Sequence, residues 1–105
     1  MSRDLHPTDG ARYMLERDAE LAGGSQARYR ASVYTPTEVF TSLLVLTDNG
    51  DVALADGANA VAEPHWAPLQ MFAKLTARSV AKRREDELPA WPARVLRWRG
   101  PGRGG

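Results

Sequence analysis

Apolar and polar positions alternate with a period of two along four stretches of the chain, and the longest of these organises the rest. From Glu38 to Thr47, one side of the pleat carries Val39, Thr41, Leu43, Val45 and Thr47, and the other carries Phe40, Ser42, Leu44 and Leu46. Both sides turn apolar towards the end of the stretch, which predicts a strand in mid-sheet. Ala27 to Thr35 alternates Tyr29, Ala31 and Val33 with Arg28, Arg30, Ser32 and Tyr34, a second strand. Thr35-Pro36-Thr37 joins the two, because proline fixes its φ and has no donor to offer a ladder. Asn49-Gly50 between apolar runs is a hairpin signal, leading into a short strand over Asp51 to Ala55 with Val52 and Leu54 on one face. Arg94 to Arg99 alternates Leu96 and Trp98, expected to face inward, with Val95, Arg97 and Arg99. It reads as an edge strand whose arginines discourage pairing with another chain.

Two stretches follow the helical period instead. Thr8 or Asp9 caps a predicted helix running to about Ala22 and stopped by Gly23-Gly24, with Ala11, Met14, Leu15, Leu21 and Ala22 on one face. Asp18 falls in the middle of that face, where an ionised carboxylate is costly unless paired, so a buried pair with Arg28 or Arg30 is expected. After a crossing loop over 57–63, a second helix is predicted from Pro64 to near Glu87, with Pro64 and Pro68 in its first turn and Pro89 and Pro92 beyond its end. Its inner stripe is Leu69, Phe72, Ala73, Thr76 and Val80. Lys74, Arg78 and Lys82 run down the opposite side, with Met71 among them. The predicted architecture is α+β: a three- to four-stranded antiparallel sheet, a meander plus a C-terminal edge strand, with two helices packed on one face. A single domain spans 1–99, and a Gly/Arg tail over 100–105 is expected to be disordered.

Composition narrows the function classes without naming one. A chain of 105 residues, 43% apolar and 26% charged, fits one globular domain and neither a disordered nor a fibrous class. It has no cysteine, which excludes disulfides, thiol nucleophiles and cysteine–metal clusters. Its start carries no apolar run of signal-peptide type and no later stretch reaches membrane-spanning length, so a cytoplasmic protein with no membrane partner is expected. Charge is unevenly spread: residues 1–72 carry five Arg/Lys against ten Asp/Glu, and residues 73–105 carry nine against three. Lys74, Arg78, Lys82, Arg83, Arg84, Arg97 and Arg99 are therefore the candidate basic patch for nucleic acid. Glu85-Asp86-Glu87 interrupts the run, and a solvated face is the better expectation.

Catalytic signals are weak. His6 and His65 cannot make a zinc site by themselves, and Asp48, Asn49, Asp51 and Asp56 lack the order of a calcium loop. Gly23-Gly24-Ser25 lacks the phosphate-loop pattern and its lysine. No catalytic residue, metal or cofactor is assigned, and an enzyme could use only Asp18 with His65 in a shared cleft. The leading expectation is a small protein-interaction or accessory module, self-associating through whichever sheet face two helices on one side leave bare. Phe40, Leu44 and Leu46, with Met71, are its candidate surface. Nucleic-acid binding through the basic half is the runner-up, and small-molecule binding or catalysis comes third.

Overall fold

The first apolar stretch is a strand, not a helix: β1 spans Ala11–Leu21. Ala11 and Leu15 lie four apart, a spacing that suits one helix face and one strand face alike, and Tyr13 breaks the tie. Ala11, Tyr13 and Leu15 are all buried on one side of the pleat. β1 has a neighbour along each of its edges. Two backbone ladders and the packing of Tyr13 and Leu15 outweigh helix preferences that differ by at most about 0.7 kcal/mol per residue. The Gly23-Gly24 pair then belongs to a tight 3-10 turn, Ala22–Gly24, in place of a helix stop.

The structure is a computed structural model and describes residues 6–7, 9–55 and 61–100; Thr8, Asp56 and the tail beyond Gly100 lie outside the described residues, as does most of the expected crossing loop. After β1 come β2 (Gln26–Tyr34), β3 (Val39–Thr47) and β4 (Val52–Leu54). A helical arm follows, α1 (Glu63–Arg78) and α2 (Val80–Glu85), and then β5 (Arg94–Arg99). The described strands form one five-stranded antiparallel sheet in the order β4-β3-β2-β1-β5. The strand taken as central, β3, is therefore second from an edge, and β2 holds the middle. With β1 a strand, the sheet has one strand more than the sequence pattern suggests and its face is covered by one bent helical arm, where two helices were expected.

Cross-strand rows show what the arm covers. Tyr13, Val33 and Phe40 share one row, Tyr29, Leu44 and Leu54 another, and Ala27, Leu46 and Val52 a third. These meet Leu69, Ala73, Ala77 and Val80 of the arm in a single core. The bend lies at Ser79, whose hydroxyl donates to the Thr76 carbonyl at 2.7 Å while its amide is shared between the Leu75 and Thr76 carbonyls. The arm stops where Glu87 takes φ 60°. There Leu88 N–H donates to Arg83 O at 2.8 Å and Glu87 N–H to Arg84 O at 3.1 Å, a Schellman stop that agrees with the expected end near Glu87.

The loop after the arm is pinned to the sheet before β5 begins. Trp91 is fully buried, and its indole N–H donates to the Gly24 carbonyl at 2.8 Å. Arg17 donates from its amide to Ala93 O at 2.9 Å and from its guanidinium to Trp91 O at 2.7 Å. No helix among the described residues is long and apolar enough to cross a membrane.

Candidate functional site

β5 is the long exposed edge of the sheet, and the ladder fixes which of its backbone groups are spare. Antiparallel residues alternate between pairs that exchange both hydrogen bonds and pairs that exchange none. Arg17 N–H donates to Ala93 O, and the register places Val95 opposite Leu15, Arg97 opposite Tyr13 and Arg99 opposite Ala11. Those residues bond to β1, so the amides and carbonyls of Arg94, Leu96 and Trp98 point away from the sheet. The Leu96 carbonyl confirms this, because it accepts a 2.9 Å bond from the Arg97 guanidinium at the open edge.

Beside that edge runs a groove of about 350 Å³ between β5 and the helical arm. Phe72, Leu75, Thr76 and Ser79 form its helix wall, and Val95, Leu96 and Pro92 its sheet side. Among the described residues three arginines border it, Arg83, Arg94 and Arg97, and no acidic residue does. Leu75 is 54% exposed and Leu96 40% exposed, although both are large and apolar. The two hydroxyls in the wall are committed: Thr76 donates to Phe72 O at 2.9 Å and Ser79 to Thr76 O. Arg83 is held by a 2.6 Å bond from Nε to Pro89 O. The groove can therefore offer guanidinium N–H groups, an apolar floor and a free strand edge. It holds no nucleophile–base pair.

Trp98 does not face inward. It lies in the row of Arg12, Tyr34 and Val39, on the sheet face opposite the arm, and is 53% exposed with its indole N–H donating to Asp9 O at 3.1 Å. Leu96 shares that opposite face with Met14, Ser32 and Thr41, of which Met14 and Ser32 are buried. Leu44 and Leu46, expected at a surface, are fully buried beneath the arm, and Phe40 is half-buried against His65 with ring centroids 5.8 Å apart. The arm covers their side of β3 and leaves Val39, Thr41, Leu43 and Val45 on the bare one. Met71 is exposed on the outer side of α1 in a shallow depression with Lys74 and Arg78.

The basic side chains do not form one surface. Arg84 reaches back to Asp48 Oδ2 at 3.1 Å and to Gly24 O at 2.9 Å, tying α2 to the far end of the sheet. Lys82 pairs with Asp86 one turn on at 3.5 Å. Arg97 lies beside the groove, while Arg99 closes the other end of β5 opposite Ala11.

Asp18 has its expected partner but not its expected environment. β1 carries a bulge between Arg17 and Ala19, and Asp18 is the unpaired residue. Its Oδ2 accepts from Nε and NH2 of Arg28 at 2.7 and 2.6 Å, with side chains 42% and 40% exposed, respectively. A strand bulge points the carboxylate to solvent, where a helix face would have buried it. His65, in the first turn of α1, faces Tyr13, whose hydroxyl is 3.5 Å from its Nδ1. Arg28 is on the bare face and Tyr13 on the covered one. The sheet separates Asp18 from His65, and no shared cleft exists. Among the described residues no group of three or more His, Asp or Glu is placed to hold a metal ion.

Two tyrosines are perturbed, both by burial. The Tyr29 hydroxyl is pushed up to about 12 chiefly by burial, with Arg17 and Arg83 opposing and Glu20 adding to the rise. Tyr13 is raised by burial, with Arg99 opposing. Neither is a general base at neutral pH. The residues that matter for the groove and that the sequence pattern missed are Leu75 and Ser79. Leu75 sits one position before the inner stripe residue Thr76, and an exposed leucine there was the available signal.

No protein-family model, curated protein or solved structure matches this chain.

Proposed function

We propose that the chain is a small protein-interaction module that receives its partner on the β5 side of the molecule. One observation carries the reading: Leu75, Leu96 and Trp98, three large exposed apolar side chains, flank a strand edge whose outward backbone groups have no strand beside them among the described residues. Isolated apolar residues on a surface are ordinary, but their grouping along an unpaired edge is a feature that folds otherwise cover or shorten. Photo-cross-linking tests it. A photoreactive residue at Leu75 should give protein adducts that resist nuclease and that the same residue at Val39, on the opposite side of the sheet, does not give. Nuclease-sensitive adducts at Leu75, or equal labelling at both positions, would refute the reading.

A second reading, self-association through the bare sheet face, is supported by the exposure of Val39, Leu96 and Trp98 there. Against it, one row of that face carries Glu16 between Arg30 and Arg94, charges that sealing against a second copy would strip of water. Sedimentation over a concentration series separates the two, since a monomer at high concentration removes the homodimer alone. Nucleic-acid binding is less well supported, because Arg84 and Lys82 are engaged by Asp48 and Asp86, Lys74 and Arg78 lie on the outer side of α1, Arg83 and Arg97 border the groove, and Arg99 closes the far end of β5.

A further inference from the structure

We infer that the groove takes an extended acidic peptide segment, which adds to β5 as a sixth strand. The inference rests on the interaction reading above and names the partner's chemistry. Geometry supplies the strand position. The outward amides and carbonyls of Arg94, Leu96 and Trp98 form half a ladder, and a peptide laid about 4.8 Å away would complete it. Leu75, exposed on the helix wall of the groove, would meet apolar side chains that such a strand turns towards the arm.

Charge selects the occupant. Arg83, Arg94 and Arg97 border the groove with no carboxylate among its described lining residues. A second copy of this chain pairing β5 against β5 would bring Arg94, Arg97 and Arg99 of each copy to one seam, and like charges across a ladder are destabilising. An acidic segment reverses that sign. Arg97 also acts as a latch. Its guanidinium now satisfies the Leu96 carbonyl, so an arriving peptide N–H takes over that acceptor while a peptide carboxylate takes the guanidinium. The exchange replaces the present bond with a charge-assisted one, whereas a neutral or basic peptide leaves the guanidinium to water.

The test uses the full chain, labelled with ¹⁵N, and three probes: a short end-blocked peptide alternating Glu and Val, its Lys/Val counterpart, and single-stranded oligothymidylate. The acidic peptide alone should bind, and saturation should slow exchange of the Leu96 and Trp98 amides by about tenfold or more. Arg97→Gln should weaken binding about tenfold, the loss of one charge-assisted bond. Leu96→Pro removes an outward amide without touching the β1 ladder and should abolish binding while the melting transition persists. Binding without protection of Leu96 and Trp98, and indifferent to Leu96→Pro, overturns strand addition but leaves the interaction module intact. No binding of the acidic peptide, with partner adducts still forming at Leu75, overturns the acidic assignment alone. Tighter binding of oligothymidylate than of any peptide overturns both.

Discussion

The Tyr29 hydroxyl donates a 2.6 Å hydrogen bond to the carbonyl of Pro92, 63 residues further along the chain. Tyr29 stands on the central strand, and Pro92 sits two residues before β5 begins. The bond therefore fixes how the edge strand is delivered to β1 and, with it, where the groove opens. Trp91, beside Pro92, packs its ring 6.3 Å from that of Tyr29.

Alkaline unfolding should report on this contact. Burial raises the Tyr29 hydroxyl from 10.0 to about 12, so the folded state holds the proton more tightly than the unfolded chain. Its contribution to stability is complete below the unfolded value of 10.0 and is lost as pH rises through about 12. Tyrosinate absorbance and unfolding should rise together in that window, and in Tyr29→Phe the decline in stability with pH should be shallower. A Tyr29 phenol titrating near 10.0 while the fold persists would contradict it.

Trp91→Ala should cost about 3–5 kcal/mol in urea melts, because it empties the largest fully buried site and removes the donor to Gly24 O. Trp91→Phe keeps most of the volume and loses the indole bond, so about 1 kcal/mol of additional loss is expected from that bond itself.

Asp18→Ala should change stability by less than about 1 kcal/mol, since both partners are more than a third exposed and screened by water. The small residual effect should vanish in high salt. A loss of several kcal/mol would mean that the bulge itself depends on the pair.

Gly10→Ala should destabilise the protein by about 1–3 kcal/mol. Gly10 has φ +70°, and a β-carbon there would fall on the Arg99 carbonyl oxygen. Hydrogen exchange should show the loss first at the β1–β5 pairing, with β2 and β3 protected longest.

Strand chemistry was readable wherever a short-range signal and a period agreed. Gln26–Tyr34, Val39–Thr47, Val52–Leu54 and Arg94–Arg99 all lie within a residue or two of their alternating stretches, and Asn49-Gly50 makes the turn between β3 and β4. In that turn the Asn49 carboxamide accepts from the Asp51 amide at 2.9 Å. The arm's inner stripe and its stop near Glu87 were equally legible, since proline and the apolar period act locally.

What residue order could not decide was everything that depends on a neighbour distant in sequence. Ala11–Leu21 is made of helix-forming residues, and only pairing with β2 on one side and β5 on the other turns it into a strand. That change moved Asp18 from a buried face to an exposed bulge and displaced β3 from the centre of the sheet. It also decided which face of β5 is bare, and so sent Trp98 outward. Period-two alternation separates two faces without saying which one the core will take, because burial belongs to the layer that arrives from elsewhere in the chain. For this protein that layer is a single bent arm, and the groove opens between it and the last strand.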